Sequence, residues 1–513
     1  MRERIKGTGW LFVISMFGMA LFVLATLFLR IREDGIVDVY SRFAVPVLFV
    51  AVAVMVVGFL AMFWKRVKLE QVFLLVVPAL EALYMIVLPP YLVPDEIQHF
   101  NKAYAISNTI LGVDEPEEWY LMKMRAEDAA FANQTEITRE YYDFIYGDTL
   151  LATEEEKALV SVGRIDMKPP CYYVLSGVGL SVGRLLGLNS VWTYQLARLM
   201  NLLFYVVLAW LAIRLMPFGK VLVLLFSLLP MTLQQVMSVS YDSILFALSL
   251  LAIAMTLHLA WSERVDRKKA FVLGVVLILI CLAKHHAYIA MALLPLIIVF
   301  QRKPLTEETW KKVKRVGLLA SAVFVVLALA VYIVVDIPYT PGTHILAYTG
   351  TEGVSLAYLW NYPKKLFSLL YFTMFSKADH YFYTTIGGLL GWLNIPILEV
   401  ICFGMFVVLL IGALRVGTEE RRVTSIDRNL MLLIAVLCFC CCVGGIALNW
   451  TPLDAASVEG VQGRYFLPFL LLLLLPLRRL PIKVEQDPTQ WLVLSMLFMQ
   501  VLTVNQILMI VLR

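Results

Sequence analysis

The stretch Tyr91-Leu92-Val93-Pro94-Asp95-Glu96-Ile97-Gln98-His99 follows the third long apolar run of the chain, residues 70–90. Two adjacent carboxylates and a histidine therefore meet at the boundary of a hydrophobic segment and open a long polar region. Ionisable groups are costly to hold next to a bilayer, so residues placed in this way are candidates for function. The stretch separates apolar segments that set the fold from a polar segment where we expect chemistry.

The rest of the chain has the composition of a polytopic helical membrane protein. Of 513 residues, 61% are hydrophobic and 16% are charged, and the mean hydropathy is +0.80. Apolar runs of about 20 residues recur, which is the length that a hydrocarbon core of about 30 Å requires of a helix, whereas barrel strands alternate and run about 10 residues. We predict an all-α polytopic membrane protein with about 13 transmembrane helices and no role in nucleic-acid binding. The predicted spans are 10–30, 44–63, 70–90, 171–187, 192–215, 219–237, 241–261, 270–300 as one or two passes, 314–335, 395–415, 429–449, 464–480 and 490–512.

Charge is distributed unevenly along the chain, and this distribution predicts sidedness. Residues 91–168 contain 16 Asp and Glu against 7 Lys and Arg, whereas basic residues flank other apolar runs. Lys and Arg collect in cytoplasmic loops, so the acidic loop with Asp95 is expected outside the membrane. The side on which Asp242 and Lys284 lie stays open, because one broken or re-entrant helix near Pro230 would reverse it.

The predicted organisation alternates membrane regions with two larger external loops that carry amphipathic surface helices. In the first loop, polar stretches at 117–132 and 153–160 have apolar residues at helical spacing and are predicted to lie on the membrane surface. The regions are the N-terminal transmembrane helices 1–90, the acidic loop 91–170, the central helices 171–336, the second external loop 337–394 and the C-terminal helices 395–513.

Asp95, Glu96 and His99 form the first candidate site. A carboxylate at a lipid–water boundary can act as a general base, because desolvation or a neighbouring charge tunes its pKa. On a helix, His99 would share a face with both carboxylates. Asp95, His99 and the later Asp242 are also of the types that bind Mg²⁺ or Mn²⁺, although they do not specify a metal. The alternative is structural: Asp95 follows Pro94 and would cap an interfacial helix.

Three further ionisable residues lie in or beside apolar runs. Arg198 stands inside one and must find a partner; a phosphate suits its planar guanidinium, and snorkelling to the interface is the alternative. Lys168 precedes Pro169-Pro170 and is either aimed at an anionic head group or an interfacial anchor. Lys284 interrupts the run 271–300, where a cytoplasmic hairpin turn is the alternative to phosphate binding.

Two short motifs supply the remaining candidates. Asp242 precedes an apolar run and is either a second acidic site residue or the N-cap of the next helix. In Gly460-Val461-Gln462-Gly463-Arg464-Tyr465-Phe466, the paired glycines allow close approach of the backbone, and Gln462, Arg464 and Tyr465 offer donors to a phosphate or a sugar. An interfacial Arg-Tyr pair would explain Arg464 and Tyr465 but would not explain the glycines.

Together these motifs resemble those of the GT-C superfamily of integral-membrane glycosyltransferases. Pro94-Asp95-Glu96 with His99 is similar to the acidic motif that opens the first external loop there and supplies the catalytic base. Lys168-Pro169-Pro170-Cys171-Tyr172-Tyr173 and Ala197-Arg198-Leu199 resemble segments of protein O-mannosyltransferases and aminoarabinose transferases. Ser238-Val239-Ser240-Tyr241-Asp242 is similar to the second acidic motif of oligosaccharyltransferase catalytic subunits, but the acidic partner that follows there is missing.

The order of the motifs most resembles that of a bacterial family of predicted multi-span membrane proteins associated with surface-polysaccharide genes. The similarity covers roughly residues 70–480 and includes Gly391-Trp392-Leu393-Asn394-Ile395-Pro396 and Val461-Gln462-Gly463-Arg464-Tyr465-Phe466.

The resemblance implies a GT-C-like fold and a reaction. The donor would be a polyprenyl-phosphate sugar and the acceptor a cell-surface glycan, on the outer face of the bacterial cytoplasmic membrane. Asp95, with Glu96 beside it, would take the proton from an acceptor hydroxyl in an inverting displacement. The residues assigned to substrate and lipid-phosphate binding are His99, Lys168, Arg198, Asp242, Lys284, Gln462, Arg464 and Tyr465. No cofactor is certain, and Mg or Mn is the metal to test.

Two other activities use the same kind of carrier. A lipid-linked glycan flippase or exporter would also have many spans and interfacial charges, and it would more often show inverted repeats and broken helices. A glycan polymerase or ligase would share the carrier phosphate but would need an oligosaccharide donor. The large acidic loop after the third apolar run is better explained by an acceptor site than by a flippase or exporter.

Overall fold

The computed structural model describes residues 8–130, 135–150, 158–165, 169–284, 286–302, 344–346, 350–416 and 423–512, with isolated residues between 303 and 343. Within these residues the chain is mainly α-helical, and its only sheets are four two-stranded pairs. The predicted run 314–335 lies almost entirely outside the described residues.

The described α-helices are α1 (Thr8–Asp34), α2 (Val39–Phe59), α3 (Leu69–Val87), α4 (Glu96–Leu111), α5 (Ala126–Ala129), α6 (Arg139–Tyr142), α7 (Val174–Leu185), α8 (Ser190–Leu215), α9 (Lys220–Ser227), α10 (Pro230–Val236), α11 (Asp242–Trp261), α12 (Arg267–Cys281), α13 (Pro295–Gln301), α14 (Leu356–Asn361), α15 (Pro363–Ser376), α16 (Ala378–Ile386), α17 (Glu399–Ala413), α18 (Ser425–Trp450), α19 (Leu467–Leu474) and α20 (Thr489–Val511). The 3₁₀ helices are Pro170–Tyr173, Ile289–Leu293, Gly463–Phe466 and Leu475–Arg479, and the π-helices are Leu60–Lys65 and Asp143–Thr149.

Four short strand pairs connect these helices. The strands are β1 (Leu121–Arg125), β2 (Leu159–Gly163), β3 (His344–Ile345), β4 (Glu352–Gly353), β5 (Leu389–Leu390), β6 (Ile395–Pro396), β7 (Arg415–Val416) and β8 (Lys483–Val484). The first three pairs, β1 with β2, β3 with β4 and β5 with β6, are antiparallel, and β7 runs parallel to β8.

Seven of the described helices are long and apolar enough to cross a membrane. They are Gly9–Asp34, Val39–Lys65, Leu69–Val87, Ser190–Leu215, Asp242–Trp261, Ser425–Trp450 and Thr489–Val511. This supports the prediction of an all-α membrane protein but not the count of about 13 spans. Several apolar runs counted as spans, among them 171–187, 219–237, 270–300, 395–415 and 464–480, form shorter or interrupted helices instead.

Proline explains why one of the predicted spans is interrupted. The run 219–237 is broken at Leu228–Leu229, and Pro230 starts a second short helix, α10. Proline has no backbone N–H and fits the first turn of a helix but not its interior. The two short helices bring the chain back to α8, where Asn201 Nδ2 donates to the carbonyl of Ser238 at 2.9 Å.

The loop 91–170 contains an antiparallel strand pair where the sequence predicts surface helices. Residues 121–125 form β1 and pair with β2, and the described part of 153–160 ends in β2. Met122 and Met124 are buried and Lys123 is less so, which is the alternation of a strand. In a run this short, the spacing of the apolar residues is compatible with both a helix and a strand, so it did not distinguish the two structures.

Candidate functional site

The turn at Pro94-Asp95 places the first candidate carboxylate. Helix α4 begins at Glu96, as the capping interpretation expects, but Asp95 adopts the left-handed conformation (φ 62°) and its side chain caps nothing. Its carboxylate instead accepts a hydrogen bond from Arg464 Nη2 at 2.7 Å, and 41% of the side chain is exposed. Asp95 is therefore the accessible acid at the end of the third span.

Glu96, unlike Asp95, is inaccessible to solvent. Its carboxylate is completely buried and forms a two-pronged ion pair with Arg198, with Nε–Oε1 at 2.9 Å and Nη2–Oε2 at 2.7 Å. The backbone N–H groups of Tyr91 and Val239 donate to the same carboxylate, each at 3.1 Å. Both oxygens of Glu96 are thus used in holding together three segments that are distant in sequence.

Arg198 has no donor group left for a phosphate in this arrangement. Besides Glu96, its guanidinium donates to the carbonyl oxygens of Leu88 at 2.8 Å and Pro89 at 3.1 Å, and the side chain is fully buried. The arginine inside the apolar run has found a protein partner, as the cost of an unpaired charge requires. Arg198 therefore positions the segment that leads to Asp95.

A charge cluster, made of Asp95, Asp242, Lys284 and Arg464, forms the centre of the site. Lys284 Nζ lies 2.8 Å from Asp242 Oδ1, and Arg464 Nε lies 3.7 Å from Asp242 Oδ2. Arg464 also donates to the carbonyl of Pro94 at 3.2 Å. The four residues come from four separate segments, and their formal charges cancel. Asp242 and Lys284 thus lie at the same end of the helices as Asp95.

Aromatic side chains surround the charge cluster. The Tyr465 ring lies 3.8 Å from Lys284 Nζ, and the Tyr241 ring contacts His99 edge to face with centroids 4.9 Å apart. His99 Nδ1 is 2.9 Å from the Tyr173 hydroxyl. Burial and the nearby Lys102, Arg464 and Lys284 hold the pKa of His99 well below its usual value, so this imidazole is neutral at pH 7.

Two predicted site residues remain, Lys168 and Gln462. Lys168 lies outside the described residues. Gln462 precedes the 3₁₀ helix Gly463–Phe466, and its side-chain oxygen is buried without a hydrogen-bond partner in the described part of the chain. Gln462 is thus beside the charge cluster in sequence without a side-chain bond that ties it to the cluster.

The metal set suggested by the sequence does not fit the geometry. Asp95 and Asp242 are each paired with a basic side chain, and His99 uses one ring nitrogen on Tyr173. Among the residues that the structure describes, no group of three or more His, Cys, Asp and Glu side chains could hold a metal ion. We therefore assign no step to Mg or Mn.

The motif Gly391–Pro396, for which the sequence predicts no role, also contacts the site. In the turn between β5 and β6, Trp392 Nε1 donates to the carbonyl of Tyr91 at 3.0 Å, and Gly391 N donates to Gln234 Oε1 at 2.7 Å. Tyr91 is itself left-handed (φ 68°). The loop 337–394 therefore supports the turn that carries Asp95, and the signal that could have found it was the indole in a Gly-rich turn.

An apolar groove lies between the loop 337–394 and α18. It has a volume of about 500 Å³ and is lined by α14 and α15, including Trp360 and Leu370, by Leu448 of α18 and by Val458. Val458 is six residues before Arg464 in the segment that leads to the charge cluster. The groove could accommodate a hydrocarbon chain.

Comparison with known proteins gives one match, to a family. No curated protein and no solved structure matches the chain. The family match covers residues 79–473, which is more than half of the chain and includes every described residue of the charge cluster. The chain therefore belongs to the family described as "Predicted membrane protein (DUF2142)".

Proposed function

We propose that this protein is a glycosyltransferase that moves a sugar from a polyprenyl-phosphate donor to a glycan acceptor outside the bacterial cytoplasmic membrane. The observation that carries the proposal is the charge cluster. It combines an accessible carboxylate, Asp95, with two cations, the buried Arg464 and the partly buried Lys284, at the end of the third candidate span. A transfer of this kind needs a base for the acceptor and positive charge for the departing phosphate.

Asp95 is the base in this proposal. Its partly exposed carboxylate can accept the proton of an acceptor hydroxyl while that oxygen attacks the anomeric carbon. The bond between the anomeric carbon and the phosphate oxygen breaks on the opposite face, and the electron pair leaves with the lipid phosphate. A single displacement of this type inverts the anomeric centre.

Arg464 and Lys284 take the phosphate. Arg464 Nε makes no hydrogen bond among the described residues and is held 3.7 Å from Asp242 Oδ2, so in this proposal it turns to a phosphate oxygen when the donor binds. Lys284 shares Asp242 as its counter-ion. Preorganised cations of this kind stabilise charge that develops on a leaving group.

The remaining residues bind or position the substrates. Tyr465 and Tyr241 offer ring faces to a sugar, and neutral His99 offers a hydrogen bond. The apolar groove, whose lining includes Val458, suits part of the hydrocarbon chain of the lipid donor. Glu96 and Arg198 are assigned to positioning, which changes the roles expected from the sequence. The resemblance to the GT-C superfamily supports the same reaction.

Transfer of radiolabelled sugar from a panel of polyprenyl-phosphate donors to cell-envelope glycan, by the purified protein, tests the proposal. We expect Asp95→Asn to lower the rate by about 10²- to 10⁴-fold, the range for loss of a general base. Asp114→Asn, at an exposed position of the same loop, is the matched control and should keep the wild-type rate. Full activity of Asp95→Asn would remove Asp95 as the base.

A flippase is the second candidate, and one observation favours it. Helices α9 and α10 form a broken helix, a feature that transporters often place at a substrate site. Donor movement across liposomes by a protein that transfers no sugar from any donor would select the flippase. Accumulation of lipid-linked monosaccharide in a deletion strain would instead favour the transferase over both the flippase and a polymerase or ligase.

A further inference from the structure

Glu81 is a buried carboxylate that the proposed function does not use. It lies in α3, six residues before the end of the candidate span Leu69–Val87, which corresponds to about 9 Å along the helix axis. The side chain is fully buried, and neither carboxylate oxygen has a hydrogen-bond partner among the described residues. A carboxylate in this position, inside a span and without a partner, needs a physical explanation.

Polar side chains accompany Glu81 at this depth. Tyr84, one turn further along α3, donates to Gln500 Oε1 at 2.8 Å, and Gln500 donates to the carbonyl of Leu228. Tyr205, which is close enough to interact electrostatically with Glu81, shares a hydrogen bond of 2.8 Å with Ser227. Leu228 and Ser227 lie at the break between α9 and α10, so Glu81 faces the interrupted part of the membrane region.

The helices packed against α3 bring no basic partner to this carboxylate. These helices are α2, α8, α9, α10 and α20. Their ionisable residues are Tyr40 and Arg42 on α2, Tyr194, Arg198, Tyr205 and Arg214 on α8, and Lys220 on α9. Arg198 is committed to Glu96 and Arg214 lies over the Trp210 ring, while Arg42 and Lys220 stand at the beginnings of their helices.

We propose that Glu81 is a proton-binding site inside the membrane. An isolated carboxylate is costly away from water, and a bound proton removes its charge. The site does not depend on whether the charge cluster transfers sugars. Inside a span, the occupancy of such a site is set by the proton concentration on the side of the membrane with which it exchanges.

Labelling with a hydrophobic carbodiimide tests the proposal on the full-length protein in lipid nanodiscs. The reagent consumes the proton of a carboxylic acid: the acid oxygen adds to the central carbon, the proton goes to a nitrogen, and acyl migration leaves a stable N-acylurea. We expect mass spectrometry to find this adduct on Glu81 near neutral pH and to find less of it as the pH rises. Glu81→Gln should lose the adduct, and Glu70→Gln, which changes a carboxylate at the start of the same helix, should retain it.

Two outcomes would overturn the proposal. The first is the absence of an adduct on Glu81 in the wild-type protein at any pH at which the protein remains folded. The second is protection of Glu81 by sodium chloride but not by the same concentration of choline chloride, which would identify a metal cation as the occupant. Because both readouts come from the wild-type protein, they do not depend on how well Glu81→Gln folds.

Discussion

At the scale of single residues, two neighbouring acids have opposite environments. Asp95 is partly exposed in a left-handed turn, and Glu96 is sealed in an ion pair with Arg198. Aspartate tolerates the left-handed conformation better than most residues, but the conformation still costs about 1–3 kcal/mol. The bonds that Glu96 makes to Arg198, Tyr91 and Val239 hold this turn in place.

Breaking the buried ion pair should destabilise the protein. Glu96→Gln leaves the Arg198 guanidinium buried without a counter-charge, which costs about 3–5 kcal/mol in comparable cases. We expect a clearly lower unfolding temperature in detergent, measured by intrinsic fluorescence. Glu117→Gln, at an exposed position, is the control and should unfold like the wild type. Equal unfolding temperatures for Glu96→Gln and the wild type would contradict the assigned role.

Lys284 should give the transfer reaction a pH dependence. Burial, opposed by Asp242, lowers the pKa of Lys284 to about 8, so the ammonium is charged below that pH and neutral above it. Because a neutral amine does not attract the donor phosphate, kcat/KM for the donor should fall as the pH rises through about 8. Lys284→Gln should be slower at low pH and should lack this decline. The same decline in Lys284→Gln and in the wild type would exclude Lys284 as its cause.

At the scale of elements, small residues decide where helices meet. Ideal Cβ atoms on Gly179 and Gly183 of α7 would lie only 2.6 Å from Leu196 O and 2.8 Å from Thr193 Cα of α8. The spacing of these glycines allows two helix backbones to approach closely. Helix α7 also runs along α4, where Ser181 donates to Ser107 at 3.0 Å. These contacts explain why a short apolar run became a packed helix of 12 residues.

The contact between α16 and the 3₁₀ helix Gly463–Phe466 should control the position of Arg464. A Cβ on Gly463 would lie 2.2 Å from the backbone nitrogen of Thr385, so Gly463→Ala must shift the segment that carries Arg464. We expect transfer to fall by about tenfold or more, equivalent to about 1.4 kcal/mol, with helix content unchanged by circular dichroism. Gly274→Ala, where a Cβ meets nothing within 4 Å, is the matched control. Full activity of Gly463→Ala would show that Arg464 tolerates the shift.

At the scale of the whole molecule, the charge cluster is predicted to lie outside the cytoplasm. A cysteine introduced as Glu117→Cys should react with a membrane-impermeant maleimide in intact cells, whereas Glu263→Cys should react only after permeabilisation. Glu263 lies between α11 and α12 and precedes Arg264 and the basic start of α12, Arg267-Lys268-Lys269, a pattern typical of a cytoplasmic loop. Both variants are exposed and are compared in a Cys171→Ser background. Labelling with the reverse pattern would place the cluster inside.

Much of the site could be predicted because membrane burial makes charges conspicuous. Asp95, Asp242, Lys284 and Arg464 were all selected as ionisable residues in or beside apolar runs, and the structure brings them together. Their partners could not be predicted, since a charge in an apolar segment indicates that a partner exists but not which residue it is. Arg198 therefore was expected to bind phosphate and was found on Glu96.

The sequence by itself determined that this is an all-α membrane protein with an acidic segment after its third span, because hydropathy and span length follow directly from the bilayer. Only the tertiary structure decided which apolar runs cross fully and which are broken, because proline and glycine act through the helices packed around them. It also decided which of two adjacent acids stays accessible. That choice depends on contacts from Arg198, Trp392 and Arg464, which lie more than 100 residues from the acids in sequence.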